Sequence, residues 1–350
     1  MRFPRILLLV ALLSSAPALL EAQPAVWPGG VTHVDTVPAP SLRGNLMGDP
    51  AWREATVYLP PGYRKNPGKR YPVVYLLHGF AADHRVFIRG PYQNMNVRIM
   101  MDSLIGAGAV REMIVVTPSA RNFFDGSFYA NSPVSGRWED FIVRDLVSHI
   151  DGKYRTIRTR DGRGISGHSM GGYGALRISM RHPGIFSAVY AMSPCCLDRM
   201  DREERTAGWK AAIGIRERAD YRKAGFTANL VYALAPVYSP NLAKPPFFAD
   251  LPYRLEGDAL IADSAVLRKW VGPLAMAPRY LDNLRRLSIG FDAGDADALR
   301  DIPPNVRALD SLLSANNIPH FAEVYSGNHG NRIKARLESI VFPFFSRVLR

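Results

Sequence analysis

Hydrophobic and polar residues alternate over Val31–Val37 and again over Arg53–Leu59, which predicts two half-buried strands. Tyr71–Leu77 and Met113–Thr117 are almost continuously apolar, the pattern of strands covered on both faces. The second strand is closed by Pro60-Pro61-Gly62. A helix is expected over Trp138–Ile150, a short strand over Gly162–Ser166 and a helix from Tyr173 to Arg181. Phe186–Met192, Leu287–Asp292 and Phe321–Tyr325 read as further strands, with helices at Pro304–Ala315 and Arg332–Leu349. Strands alternating with helices predict an α/β fold, a mostly parallel central sheet with helices on both faces.

The stretch from Asp198 to Arg286 breaks this rhythm. It is rich in Arg, Pro and aromatics, among them Trp209, Tyr221, Phe226, Tyr232, Phe247, Tyr253 and Trp270. It is expected to be a long, partly helical insertion over the active face. Most of its aromatics should form a small core of its own, leaving the others to line a cleft.

The N-terminus has a different pattern. Basic Met1–Arg5 precedes an unbroken apolar run, Ile6–Leu13, too short to span a bilayer, and small residues follow. Residues 1–22 are expected to be a signal peptide cleaved after Ala22, with Ala18 as the alternative, followed by a linker at residues 23–30. No other run reaches membrane-spanning length. Residues 31–350 are therefore expected to form one exported α/β domain, periplasmic or secreted. The net charge is +13, but the arginines are scattered without interleaved aromatics, which argues against a nucleic-acid partner. The two cysteines, Cys195 and Cys196, are adjacent, so no ordinary disulfide framework is expected and both should be buried thiols.

Chemistry concentrates at Gly167-His168-Ser169-Met170-Gly171-Gly172, a Gly-x-Ser-x-Gly match between a predicted strand and a predicted helix. That setting is a nucleophile elbow. A side chain at Gly167 or Gly171 would collide with the neighbouring strand and helix, and the turn lifts the Ser169 hydroxyl above the sheet. It also places the Met170 N–H at a helix N-terminus, aimed at a developing oxyanion. A serine needs a base, and the base needs an orienting carboxylate. Of eight histidines, four precede Ser169, His168 lies inside the elbow, His182 ends a helix and His320 begins a strand. His329 remains, in a loop between the last strand and the last helix. The acid belongs in Asp292-Ala293-Gly294-Asp295-Ala296-Asp297; Asp297 is favoured, with Asp292 and Asp295 as alternatives. A second oxyanion donor is assigned to the Phe80 N–H, in the turn Leu76-Leu77-His78-Gly79-Phe80. The three aspartates lack an EF-hand pattern.

The chain resembles the esterase family of α/β-hydrolases that includes S-formylglutathione hydrolases, feruloyl esterases, enterobactin esterases and mycolyltransferases. The resemblance rests on Val57–Tyr63, Tyr75–Gly79, Ile150–Thr156, Gly167–Gly172, Gly294-x-x-Asp297 and Gly327-x-His329, and spans roughly residues 50–349. It implies an α/β-hydrolase fold and a serine ester hydrolase with Ser169, Asp297 and His329 as triad. Tyr129-x-Asn131-Ser132 and Trp138-Glu139 also resemble the family's pattern near the cleft, with packing an equal expectation. After His329 the family often has an aromatic residue, whereas this chain has Gly330-Asn331-Arg332. The expected activity is cleavage of small-molecule, glycan or lipid esters through an acyl-serine, with no metal or organic cofactor. The alternatives are acyl transfer to a sugar or lipid hydroxyl, and a non-catalytic binding protein on the same fold.

Overall fold

Alternation along β3 (Val73–Leu77) divides its side chains between two cores. Val73, Tyr75 and Leu77 join one buried cluster, while Val74 and Leu76 join the other, so both faces are covered. β3 lies inside an eight-stranded sheet. Its other strands are β1 (Val31–Pro38), β2 (Trp52–Leu59), β4 (Ile114–Pro118), β5 (Arg163–His168), β6 (Ala188–Met192), β9 (Ser288–Gly294) and β10 (His320–Tyr325), in the order β1-β2-β4-β3-β5-β6-β9-β10. β1 and β2 pair antiparallel, as do β2 and β4; every later pairing is parallel. A separate hairpin, β7 (Tyr253–Glu256) with β8 (Ala259–Ala262), belongs to the region after β6. The computed structural model describes residues 29–90, 92, 94–198 and 205–350. The predicted signal segment and all of the predicted linker but Gly29-Gly30 lie outside the described residues.

The predicted strands are present with small shifts at their ends. Tyr71 makes only an isolated bridge to Thr156, because Pro72 has no N–H to continue the ladder. On one face, β3 and β5 pack against α2 (Met170–Arg181) and the helical run beginning at Trp138. That run turns from α to π geometry over Phe141–Leu146 and back to α over Val147–Lys153. On the other face lie α1 (Val97–Gly106), through Met100 and Met101, and the C-terminal helix, through Phe342 and Phe345. Truncating a buried β3 residue such as Leu76 to Ala should cost about 2–5 kcal/mol. Sequence periodicity does not single out α1, although Asn96 caps it by accepting the Arg98 and Ile99 N–H groups at 3.0 and 3.3 Å.

The segment between β6 and β9 contains helices, among them α3 (Phe226–Tyr238), and the β7–β8 hairpin. Trp209 packs on Tyr253 and Trp270, with ring centroids 4.8 and 5.8 Å apart, and Tyr232 packs on Phe247 at 4.4 Å. Tyr221 and Phe247 also pack on Phe124, at 5.7 and 6.4 Å, so the segment's large aromatics join the core on one face of the sheet instead of forming a separate one. Phe226, by contrast, is 54% exposed and meets Phe80 edge to face at 5.8 Å. α3 is fastened to α2 by the 2.8 Å bond between the Tyr238 and Tyr173 hydroxyls. Cys195 and Cys196 are buried and free.

Candidate active site

Ser169 occupies the turn between β5 and α2 with φ 57° and ψ −117°, a conformation that costs an L-residue about 1–3 kcal/mol. Its neighbours hold it there. The Ser169 N–H donates to the Met192 carbonyl at 3.0 Å, and its carbonyl accepts the Tyr173 N–H at 3.0 Å. A Cβ on Gly167 would strike the backbone of Gly171, and one on Gly171 would strike the carbonyl of Leu77. Only glycine lets the elbow close against β3.

The histidine and acid loops leave the ends of two adjacent strands, β10 and β9, and are laced together. The Asp295 N–H donates to the Tyr325 carbonyl at 2.8 Å and the Ala296 N–H to the Gly327 carbonyl at 2.9 Å. A Cβ on Gly294 would strike Gly327, so this approach also needs glycine. Across it, Asp297 Oδ2 accepts from His329 Nδ1 at 2.7 Å, while Asp297 Oδ1 accepts the Leu299 N–H at 2.8 Å. The Asp297 side chain is fully buried and that of His329 is 28% exposed, so the imidazole is open to solvent while its carboxylate partner is not. Asp295 is exposed and accepts the Gly327 N–H at 3.0 Å, which braces the loop rather than the imidazole.

Asp292 has a different setting. It lies within β9, not at its end, and is fully buried. Its Oδ2 accepts from Tyr190 Oη–H and from Arg336 Nε–H, both at 2.8 Å. Burial raises its pKa against the pull of Arg336.

At the other side of the elbow, Phe80 follows Gly79 in the turn after β3. Among the described residues, neither the Phe80 nor the Met170 N–H has a protein acceptor. The Met170 side chain and the Phe80 ring lie together, since a Cβ on Gly126 would meet both. His78, which sequence reasoning passed over, shapes this turn: Nδ1–H donates to the Gly79 carbonyl at 2.7 Å, and Nε2 accepts the Ala120 N–H at 2.8 Å. Burial lowers its pKa to about 4, so it is neutral.

A second contact escaped sequence reasoning. His168 Nε2–H donates to the His329 backbone carbonyl at 2.7 Å, with the two rings 4.6 Å apart. Its Nδ1 accepts from the Tyr92 hydroxyl at 3.1 Å. No Ser169–His329 hydrogen bond is drawn among the described residues; such contacts characteristically tighten when substrate binds. Among the other residues resembling a cleft pattern, three hydrogen-bond to backbone carbonyls. Tyr129 Oη–H donates to the His78 carbonyl at 2.9 Å, Ser132 Oγ–H to the Pro236 carbonyl at 2.6 Å, and Trp138 Nε1–H to the Ser135 carbonyl at 2.7 Å. Glu139 is buried among Arg177, Arg181 and His182.

The Esterase family model matches residues 51–333, and the chain belongs to that family. An esterase of Mycobacterium tuberculosis is 32% identical over 149 residues, covering 41% of this chain and 29% of that protein. The endo-1,4-beta-xylanase/feruloyl esterase of Xylanibacter ruminicola is 31% identical over 155 residues, 41% of this chain and 20% of that protein. The matches thus span less than a third of either relative. Among solved structures, a ferulic acid esterase superposes with TM-score 0.60 at 25% identity, covering 92% of this chain and 99% of its own. An S-formylglutathione hydrolase from Agrobacterium tumefaciens gives TM-score 0.56 at 17% identity over 92% and 96% of the two chains, a likeness of fold. The fold is that of the α/β-hydrolases. No described helix is long and apolar enough to cross a membrane.

Proposed function

We propose that this protein is an exported serine hydrolase that cleaves carboxylic esters through an acyl-serine intermediate. The observation that carries the reading is the hydrogen bond between buried Asp297 and partly exposed His329, tied to a serine elbow flanked by two backbone N–H groups without a protein acceptor among the described residues. Family membership supports the same chemistry, and the apolar run at Ile6–Leu13 supports export.

In the acylation step, Ser169 Oγ attacks the ester carbonyl carbon as His329 Nε2 takes its proton. The oxyanion forms between the Phe80 and Met170 N–H groups, fixed donors that need no reorganisation. Asp297 keeps the proton on Nδ1, so that Nε2 is the basic nitrogen, and stabilises the imidazolium. As the intermediate collapses, His329 gives its proton to the leaving alcohol oxygen. Water then attacks the acyl-serine by the same route, releasing the carboxylic acid and restoring Ser169.

The test is hydrolysis of p-nitrophenyl esters of graded acyl length by the purified mature protein beside Ser169→Ala. Turnover lost in the variant, with the fold retained by circular dichroism, is the expected result. Substantial residual turnover would remove Ser169 from the mechanism. Mass spectrometry of the exported protein should find its N-terminus after Ala22 or Ala18.

A further inference from the structure

A cavity of 510 Å³ opens between the Phe80 turn and Tyr92. That volume suits a small-molecule substituent. Two of its lining residues, Phe80 and Tyr92, connect it to the candidate site. Phe80 carries one of the free N–H groups, and Tyr92 bonds the His168 that holds the His329 carbonyl. A Cβ on Gly330, the residue after His329, would meet the Tyr92 ring at 3.8 Å. The cavity thus lies on the Phe80 and Tyr92 side of Ser169, within reach of one part of an ester held there.

The charges at its wall are unbalanced. Asp83 and Arg85 both line it, but they satisfy one another: the Arg85 Nε–H reaches the two Asp83 oxygens at 3.1 and 3.2 Å, and Arg85 Nη2 adds a third contact. Two further carboxylates near the turn are also engaged, Asp125 with Arg121 at 2.7 Å and Glu54 with His84 at 3.2 Å. Arg89, one helical turn beyond Arg85, lines the cavity, is exposed, and has no acceptor among the described residues. An unpaired guanidinium at the wall of a cleft offers a planar set of donors that matches a carboxylate.

We infer that the preferred esters carry a carboxylate on the part that fills the Phe80–Tyr92 cavity, and that Arg89 binds it. This rests on the ester-hydrolase reading and names its substrate class, an acidic ester. Asp83 acts against the anion only weakly, because Arg85 neutralises it.

Two matched substrate pairs test this. For a carboxylate in the acyl part, mono(p-nitrophenyl) adipate is compared with its methyl ester. For one in the alcohol part, 4-acetoxybenzoate is compared with methyl 4-acetoxybenzoate. The readout is the ratio of kcat/KM for acid over methyl ester, in wild type, Arg89→Gln and Arg89→Lys. In at least one pair the ratio should fall roughly tenfold in Arg89→Gln, mainly through KM, with Arg89→Lys intermediate. Added salt should lower the wild-type ratio and leave that of Arg89→Gln nearly unchanged. Ratios unchanged by Arg89→Gln in both pairs would overturn the inference while leaving the hydrolase reading intact. If no ester of either pair is cleaved, or Ser169→Ala cleaves them as well as wild type, the hydrolase reading fails and the inference goes with it.

Discussion

The side chain of His168 holds the backbone of His329. The 2.7 Å bond from Nε2–H to the His329 carbonyl joins the residue before the elbow serine to the loop bearing the imidazole. Burial, then the neighbouring His329 ring, pushes the His168 pKa well below its ordinary value, so His168 is neutral. With its proton on Nε2, Nδ1 must accept, and it does so from Tyr92. The His329 loop therefore has an anchor at the elbow as well as one at Asp297.

In the proposed mechanism His168 is accordingly a positioning residue. His168→Ala should lower kcat roughly 10- to 100-fold with KM little changed, because a base displaced by a fraction of an ångström no longer meets the serine proton. His168→Gln, which can still donate to the carbonyl, should recover part of the loss, and Tyr92→Phe should cost less than either. Steady-state kinetics on p-nitrophenyl esters checks this. Equal losses in His168→Ala and His168→Gln would point to packing rather than the hydrogen bond.

Two aspartates five residues apart should fail in different ways. Asp297→Asn should cut kcat by roughly 10³–10⁴-fold with little loss of stability, since in the proposed mechanism its carboxylate fixes the tautomer of His329. Asp292→Asn should act on the fold, because it removes the buried carboxylate from Arg336 and leaves only the half-exposed Glu323 at 2.6 Å, at a cost of about 3 kcal/mol. Urea denaturation and turnover measured on both variants should show this crossed pattern. A larger loss of kcat per folded molecule from Asp292→Asn would reassign the acid.

The difference between these aspartates was only half legible in the sequence. The elbow can be read because its constraints fall in consecutive residues: two glycines where backbones touch, a serine between them, and a strand and a helix on either side. His329 emerges by chain order. The carboxylate that bonds His329 is harder, because a side chain's direction depends on where β9 stops. The parallel register placing Asp292 opposite Met192 and Glu323 keeps it within the sheet, whereas Asp297 lies past the strand's end. His168 is harder still: its partner is 161 residues away and is a backbone carbonyl, which leaves no mark on residue type. α1 escaped because its amphipathic pattern is short and its cap is a single Asn96.

Phe226, in the long insertion, reaches the Phe80 turn. Exposed and edge-on to Phe80, it contributes little to the core, so Phe226→Ala should change stability by less than about 1 kcal/mol. It should raise KM several-fold for phenyl-bearing esters relative to acetates. KM values for p-nitrophenyl phenylacetate and p-nitrophenyl acetate, compared in the two proteins, check this. A proportional change for both esters would place Phe226 outside the specificity surface.

Glu139 ties the helical run at Trp138 to the end of α2. It accepts from Arg181 Nε–H and from His182 Nε2–H, both at 2.7 Å, with Arg177 at 3.5 Å, and its side chain is 2% exposed. Burial alone would raise its pKa, but the hydrogen bonds from His182 and Arg181 and the charge of Arg177 outweigh this and bring it down to about 2. A carboxyl whose pKa is lower when folded contributes stability above its unfolded value, and that contribution fades as pH falls from about 4.5 towards about 2. Glu139→Gln should therefore cost about 3 kcal/mol at neutral pH, with roughly 2 kcal/mol of the difference gone by pH 3. Urea unfolding of both proteins across that range measures it. A difference that stays constant from pH 7 to pH 3 would mean that the side chain acts by shape, with its charge contributing nothing to the fold.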